Sequence, residues 1–296
     1  MKFLHQISYF LLLVILFHAC DKIKDNRLEK QPDQPTNPGD TSEIFVTYPD
    51  TGFQTQKKVL VEDYTGHTCG NCPEAAIKLD EIIQQKGASV VPVAIHVGLF
   101  AEPKPSEGYP NDFRTSEGTA IDAFFGISAF GLPQGMVDRT GFANQNHILP
   151  YSQWLSKVNQ RLALPPSVFM AVKNEVNNAG TKLRVTVKSN FSAALSGSYK
   201  LSVYLAEDSI IASQKDYSQN PERITNYKHK HMLRACLNGA WGETISDNPS
   251  AGSAGTKKVY TQTLPAQWNK NKLYVIGIIY NSDTYEVIQT EAKKIR

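Results

Sequence analysis

The sequence predicts two folded domains, an α/β domain in its first half and an all-β domain in its second half. Apolar runs with strand character alternate with helix-like segments between residues 59 and 162. From residue 167 onward, short apolar runs are separated by turn residues, as in β-rich domains. The roughly 250 residues that follow a polar N-terminal segment also suit two domains better than one.

The N-terminal segment has the pattern of a secretory signal. Lys2 supplies a positive start, residues 7–17 form an apolar run without a charge, and Ala19 precedes Cys20. The apolar run is too short to span a bilayer as a stable anchor. A cysteine directly after a small residue at this point resembles a bacterial lipoprotein signal, in which residues 1–19 are removed and Cys20 is acylated. An ordinary signal peptide with an unmodified thiol is the alternative.

The next segment, residues 20–42, predicts a lipidated tether. It is rich in polar residues and contains almost no large apolar side chains, so it cannot bury enough surface to offset its chain entropy. Its three prolines favour extended conformations. We expect the first folded domain at residues 43–164.

The predicted α/β domain begins with a strand at residues 59–64 and continues with a helix at residues 74–85. The apolar residues of that helix recur at helical spacing until Gly87. A near-continuous apolar run at residues 90–97 predicts a second strand, buried on both faces. The remaining elements are an insertion rich in Pro and Gly at residues 101–111, a helix at 116–125, a strand that includes 136–138 and a helix at 152–162.

Cys69 and Cys72 form a Cys-x-x-Cys step between the first strand and the first helix of this domain. A thiol at the first turn of a helix lies near unpaired backbone N–H groups and the positive end of the helix dipole, which both favour the thiolate. We therefore predict that Cys69 is an accessible nucleophile. Cys72 lies one turn further along the helix and is predicted to resolve the captured species by closing an intramolecular disulfide. An oxidising compartment permits such a disulfide.

The order of these features resembles the thioredoxin fold over residues 43–164. Pro133 occupies the place of the cis-proline that faces the cysteines in that fold, and Asp63 stands six residues before Cys69, at the spacing of its buried acid. The resemblance implies that Asp63 accepts and returns the proton of the resolving cysteine. It also implies that Pro133 shapes a substrate groove.

The sequence departs from the thioredoxin pattern beside both cysteines. Thr68 precedes the first cysteine, where thioredoxins usually have Trp, and Asn71 precedes the second, where they usually have Pro. The resemblance therefore implies neither a particular reduction potential nor a disulfide-reducing activity.

The second half of the chain predicts an immunoglobulin-like β-sandwich over residues 165–296. Residues 182–188 alternate polar and apolar side chains without a break, the pattern of a strand with one face in water and one in a core. Similar runs occur at residues 167–176, 199–206, 258–264, 273–280 and 285–291. About six strands separated by turn residues are typical of a sandwich.

Residues 214–257 form a long insertion between two of these strands, and long ordered insertions are more often functional than connecting. Four of its side chains are weak binding candidates: His229, His231, Arg234 and Trp241. On an extended backbone the two histidines point the same way and could share a metal. We predict instead that they brace the insertion by hydrogen bonds, because no third ligand is evident nearby, and we predict no metal and no cofactor.

Taken together, these features are similar to the outer membrane protein 28 family of Bacteroides-like bacteria. The similarity rests on residues 62–73, 132–138 and 229–243. It implies an outer-membrane protein that is anchored by N-terminal lipid and faces the periplasm or the cell surface. It also implies adhesin or receptor roles, with envelope or host proteins as partners. It does not supply an established reaction.

Three functions stay open at this point. The first is an envelope thiol–disulfide oxidoreductase, whose residues would be Cys69, Cys72, Asp63 and Pro133. In the second, the two cysteines form a permanent disulfide on a scaffold used for adhesion or partner binding. In the third, the cysteines and His67 bind a metal, although zinc normally needs four ligands. The net charge of +3 is too small to indicate nucleic-acid binding, and the sequence does not indicate an oligomeric state.

Overall fold

The computed structural model describes residues 42–46 and 52–295. In this part of the chain β-strands dominate, and the α-helices are α1 (Cys72–Lys86), α2 (Ser116–Phe125) and α3 (Trp154–Leu162). No helix within these ranges is long and apolar enough to cross a membrane. The predicted signal peptide and the lipidation site at Cys20 lie outside the described residues.

The described strands follow in chain order. They are β1 (Val59–Thr65), β2 (Val90–His96), β3 (Gln134–Val137), β4 (Val168–Val176), β5 (Lys182–Phe191), β6 (Ser198–Glu207), β7 (Ile210–Lys215), β8 (Arg223–His229), β9 (Met232–Cys236), β10 (Glu243–Asp247), β11 (Lys258–Thr263), β12 (Leu273–Asn281) and β13 (Val287–Lys294). The predicted β-rich character of the second half is confirmed.

Strands from both halves of the chain form one mixed sheet of eight strands. Its order is β13-β12-β6-β9-β2-β1-β3, and β10 also pairs with β6. β1 and β2 are parallel, whereas β3 is antiparallel to β1. β9 pairs with β2 on one side and with β6 on the other, so it joins the strands of the two halves. The mixed sheet therefore spans residue 164, where the sequence predicts a domain boundary, and the pairing of β9 satisfies backbone groups of β2 that would otherwise form a sheet edge.

A second sheet, β11-β5-β4, packs on the second half of the mixed sheet. The core between the two sheets contains apolar side chains of β4, β5, β6 and β12, among them Val172, Val185, Val203 and Val275. The unbroken alternation of β5 buries every second side chain against this core.

β1 lies between two helical layers and is buried along its whole length. Val59 and Val61 belong to the apolar cluster that includes residues of α1 and α3. Leu60 and Tyr64 belong to the cluster on the opposite face, which includes residues of α2. Because side chains alternate across a strand, each face of β1 supplies one of these cores.

Two buried ion-pair groups connect β1 and the residues before it to distant parts of the chain. Asp138, which follows β3, accepts hydrogen bonds from the backbone N–H of Leu60 at 2.8 Å, from Lys57 at 2.8 Å and from Arg161 of α3 at 2.9 Å. Burial lowers the pKa of Lys57, and the carboxylate of Asp138 opposes that shift. These contacts fix the N-terminal end of β1 against the end of β3.

Glu62 and Arg139 form the second group, and both side chains are fully buried. Arg139 donates from Nε and Nη2 to the two carboxylate oxygens of Glu62, at 2.9 and 2.7 Å, and from Nη2 to the hydroxyl of Tyr204 at 2.9 Å. Its guanidinium also lies over the rings of Phe125 and Tyr280. Because Tyr204 is in β6, this group links the two halves of the mixed sheet.

Candidate functional site

Cys69 and Cys72 form a disulfide directly after β1, with their Cα atoms 5.4 Å apart. Cys72 is the first residue of α1, and Pro73 follows it in the first turn, where a missing backbone N–H costs little. The predicted Cys-x-x-Cys junction and the predicted disulfide are therefore both present.

The structure shows that both cysteines are buried, each with 2% of its surface exposed. The prediction that Cys69 is accessible is therefore wrong for the disulfide form. The sequence pattern located Cys69 correctly at a helix start, but it gave no information about a distant segment that packs over that position.

That distant segment is residues 214–217, which we call the hairpin cap, at the end of β7 in the β7–β8 hairpin. The backbone N–H of Lys215 donates to the carbonyl of His67 at 2.8 Å. The side-chain amide of Gln214 donates to the carbonyl of Cys69 at 3.0 Å. The hairpin cap therefore binds the Cys-x-x-Cys loop mainly through backbone groups of the loop.

Tyr217 completes the hairpin cap. Its backbone N–H donates to the carbonyl of Gly70 at 2.9 Å, and its ring lies against Gly70. A Cβ atom at Gly70 would lie 2.6 Å from this ring, so a glycine is required for the close approach.

The peptide bond between Leu132 and Pro133 is cis, as the thioredoxin resemblance implies. Gln134, the next residue, opens β3 opposite Tyr64 near the end of β1. Pro133 therefore lies at the end of β1 from which the Cys-x-x-Cys loop leaves the sheet.

Asp63 is buried in the middle of the mixed sheet, between Ala94 of β2 and Gly135 of β3. Its Oδ1 atom has no hydrogen-bond partner among the described residues. Burial raises the pKa of its carboxyl group to about 7. A carboxyl group with this pKa can both accept and release a proton near neutral pH.

A cavity of about 270 Å³ lies behind the disulfide, between α1 and β8. Its lining includes Asp63, Cys72, His96, Tyr227 and His229. The structure therefore brings together two residues predicted for redox chemistry, Cys72 and Asp63, and two predicted for weak binding, His229 and His231.

Three buried histidines surround the side chain of Phe113. The ring centroids of His67, His96 and His229 lie 5.7, 5.3 and 5.3 Å from the Phe113 centroid. Both ring nitrogens of His67 and His96, and Nε2 of His229, lack hydrogen-bond partners in the part of the chain that the structure describes. Burial lowers the pKa of all three, to about 4 for His229 and well below the ordinary value for His96.

His96 was not among the residues predicted from the sequence. It ends the apolar run of β2, and a polar residue in a run buried on both faces was the available signal. Within the described ranges, no three His, Cys, Asp or Glu side chains are arranged to hold a metal ion.

His231 does not lie on an extended backbone, because its φ of 56° places it in a left-handed turn between β8 and β9. The expectation that both histidines lie on an extended backbone is therefore wrong, although both side chains line the cavity. Nδ1 of His231 instead lies 2.9 Å from the hydroxyl of Tyr274 and 3.2 Å from Oδ1 of Asp208. These contacts hold the turn against β12.

Arg234 and Trp241 lie away from the disulfide cavity. Arg234 pairs with Glu207 at 3.3 Å and its guanidinium lies over Trp268. The ring of Trp241 packs against Phe124 with a centroid distance of 4.8 Å. The four weak binding candidates therefore do not form one site.

Residues 119–296, more than half of the chain, match the family described as outer membrane protein Omp28. The chain belongs to the Omp28 family. Membership associates this chain with the cell envelope. The matched residues begin after the Cys-x-x-Cys loop, so the family match does not cover the disulfide.

Several solved structures are similar to this chain at low sequence identity. HBP35 of Porphyromonas gingivalis is 15% identical, with 82% of this chain and 76% of that chain covered and a TM-score of 0.61. A protein from Agrobacterium tumefaciens is 16% identical over 81% of this chain and 95% of that chain, with a TM-score of 0.47. A domain of the outer membrane lipoprotein Omp28 from Porphyromonas gingivalis is 18% identical over 44% of this chain and 88% of that chain, with a TM-score of 0.31. No curated protein matches the sequence.

Proposed function

We propose that this Omp28-family protein is a lipid-anchored envelope protein whose Cys69–Cys72 pair exchanges disulfides with other envelope proteins. The observation that carries the proposal is the shared cavity of Cys72 and Asp63 behind a Cys-x-x-Cys loop. A buried carboxyl group beside the resolving cysteine provides a base where proton transfer is needed. Its pKa of about 7 suits exchange near neutral pH.

The arrangement around the disulfide supports a thioredoxin-like unit at residues 43–164. Strand β1, the Cys-x-x-Cys loop and α1 follow one another in the order of that fold, and Pro133 supplies a cis-proline at the same end of β1. We assign the immunoglobulin-like sandwich to residues 165–296, on the evidence of two packed β-layers.

In the proposed reaction, the thiolate of Cys69 attacks a disulfide of the partner protein and releases one partner thiolate. The thiol of Cys72 then gives its proton to the carboxylate of Asp63 and attacks the sulfur of Cys69. The second partner thiolate leaves, so the partner disulfide is reduced to two thiols and the Cys69–Cys72 dithiol is oxidised to a disulfide. The reverse sequence oxidises a partner dithiol.

Access to this chemistry requires the hairpin cap to separate from the Cys-x-x-Cys loop. Four hydrogen bonds and the ring of Tyr217 hold the hairpin cap there. Local openings of this kind cost less free energy than global unfolding.

The test is capture of partners in intact cells. Cys72→Ser should accumulate mixed disulfides between Cys69 and envelope proteins, visible on non-reducing gels, because capture proceeds and resolution does not. The double variant Cys69→Ser with Cys72→Ser should capture none. Cys236→Ser, which changes a buried cysteine elsewhere in the chain, is the matched control and should behave as the wild type.

The alternative function is adhesion or partner binding on a scaffold with a structural disulfide. The burial of both cysteines beneath the hairpin cap favours this alternative. It predicts that the disulfide resists mild reductants and that Cys72→Ser captures nothing. These two results together would replace the exchange proposal.

The proposed lipid anchor has a separate test, because Cys20 lies outside the described residues. Cys20→Ser should move the protein from the detergent phase to the aqueous phase, since acyl chains supply the membrane affinity. Unchanged partitioning and processing of this variant would reject lipidation at Cys20.

A further inference from the structure

The cavity behind the disulfide holds more polar groups than the chemistry of Cys72 and Asp63 uses. His96 and His229 also line it, and both are almost completely buried. Neither nitrogen of His96 has a hydrogen-bond partner among the described residues, nor has Nε2 of His229. Buried polar atoms without partners are rare in native proteins and call for a functional or a hydration explanation.

Strand pairing brings His96 close to Asp63. In the parallel pair β1–β2, Asp63 lies opposite Ala94 and Thr65 lies opposite His96. Side chains two residues apart share a face of the sheet, so Asp63 and His96 face the same cavity. The ring of His229 then contacts the ring of His96 from β8, with centroids 5.6 Å apart. The three side chains form a row from the centre of the sheet to the hairpin.

The cavity is large enough to hold water along this row. One water molecule requires about 10–15 Å³ of such space, whereas the cavity offers about 270 Å³. Its rim includes the exposed side chains of Ile77 and Lys228, so the cavity opens to solvent. Water can therefore connect the unpartnered nitrogens to the outside.

We propose that His96 and His229 relay to solvent the proton that Asp63 receives from Cys72. This inference rests on the proposed exchange function. Because the pKa of Asp63 is about 7, part of the molecules carry a proton there at neutral pH, and that proton must leave before the carboxylate can accept the proton of Cys72 in the second step. A neutral imidazole accepts a proton on one nitrogen and releases another from the second, so it passes a proton on without a net change.

The charged surroundings keep His96 in the neutral form that a relay needs. Burial lowers its pKa first, and the neighbouring His229, His67 and Arg234 lower it further. Tyr227 of β8 faces Asp63, and at the rim Lys230 pairs with Asp80 at 2.6 Å. Because its pKa is lowered, His96 does not retain the proton. It acts on the reaction through Asp63 and is therefore a positioning residue.

The test follows oxidation of the reduced full-length protein by 5,5′-dithiobis(2-nitrobenzoic acid). Release of the first thionitrobenzoate reports attack by Cys69, and release of the second reports attack by Cys72. In the wild type the second rate should rise with pH through about 7, the pKa of Asp63.

His96→Ala should slow the second step about tenfold at pH 7 and leave the first unchanged, because a positioned acid–base group contributes at least this factor. Added imidazole should restore the second step, since the variant leaves room for it beside the cavity. His67→Ala is the matched control, because it removes the same side chain next to His96 but outside the cavity lining. It should show neither the slow second step nor the imidazole effect.

The relay would be supported if imidazole accelerates the second step in His96→Ala but not in His67→Ala. An unchanged second step in His96→Ala, or a slow one that imidazole does not accelerate, would overturn it. Loss of the second step in the wild type would instead reject the exchange function. If His96→Ala does not fold, His96→Gln and His229→Gln must slow the second step relative to His67→Gln, and equal rates would overturn the relay.

Discussion

Glu62 and Asp63 are neighbouring carboxyl groups on β1, yet their surroundings are opposite. Glu62 faces the α2 side, where two hydrogen bonds from Arg139 satisfy its oxygens. Asp63 faces the α1 side, where Oδ1 has no partner within the described residues and the pKa rises to about 7. Because adjacent side chains on a strand face opposite layers, one strand carries both a structural ion pair and a buried carboxyl group with a raised pKa.

The comparison shows how pairing decides what a buried carboxyl group can do. A fully paired carboxylate holds its partner in place, and breaking the pair leaves an uncompensated buried charge. An unpaired carboxyl group remains free to change its protonation state near neutral pH. We therefore expect variants on the Glu62 side to change stability and variants on the Asp63 side to change chemistry.

The largest effect should come from Glu62→Gln, which leaves the charge of Arg139 buried and uncompensated. We expect the free energy of unfolding to fall by about 3–5 kcal/mol, measured by denaturant titration. Glu81→Gln is the matched control, because Glu81 pairs with Lys78 at the surface and both side chains are nearly half exposed. It should change stability by less than about 1 kcal/mol.

A double replacement sharpens this prediction. Glu62→Leu with Arg139→Met removes both charges and keeps apolar volume, so it should recover much of the stability that Glu62→Gln loses. Equal loss in the single and double variants would show that packing at this position, and not the unpaired charge, decides stability.

The second effect is a loss of stability in acid. His229 has a pKa of about 4 in the folded protein, mainly because it is buried, and about 6.5 in the unfolded chain. The unfolded chain therefore binds more protons between these values, and stability that is complete above about pH 6.5 falls until about pH 4. The contribution is on the order of 3 kcal/mol.

Thermal melts between pH 4 and pH 7 measure this dependence. His229→Gln should have a flatter profile than the wild type. His147→Gln is the control, because His147 is also buried but its Nε2 donates to the carbonyl of Phe125 at 2.8 Å, far from the cavity lining. Identical profiles in the wild type and His229→Gln would contradict the assignment.

The third effect is the contribution of the disulfide to stability. Replacing Cys69 and Cys72 together with Ser should lower the free energy of unfolding by about 2 kcal/mol, because the closed loop has a sequence separation of 3 and constrains the unfolded chain weakly. Denaturant titration of the variant and of the reduced wild type should agree. A loss well above this value would indicate a mainly structural disulfide.

The smallest change in free energy should come from Tyr217→Ala in the hairpin cap. Loss of the ring contact with Gly70 should make opening easier by about 1 kcal/mol, so dithiothreitol should reduce the disulfide about fivefold faster. Ile211→Ala, at a similarly exposed position of the same hairpin, should leave the rate unchanged. Equal reduction rates in all three proteins would show that Tyr217 does not limit access.

Local sequence patterns predicted the positions of helices and strands better than they predicted which strands pair. The apolar period of α1 and the alternation of β5 are local signals, and both elements are present. The position of β9 between β2 and β6 depends on contacts between residues far apart in the chain, which no local period reports. The predicted domain boundary therefore does not separate two sheets.

The same distinction applies to the candidate site. The sequence predicts Cys69 and Cys72 from their place between one strand and one helix, whereas Asp63 and Pro133 follow only from the resemblance to the thioredoxin fold. The hairpin cap and the approach of His229 to His96 could not be predicted, because they join segments that are distant in sequence.

The long separation between the Cys-x-x-Cys loop and its cover also has a consequence for biogenesis. Gln214 follows Cys69 by 145 residues. Under the proposed lipid-anchored function, the chain crosses the inner membrane N-terminus first and presents both thiols to the oxidising compartment before the hairpin has emerged. Oxidation can therefore occur while the loop is still open, and later emergence of the hairpin encloses a bond that has already formed.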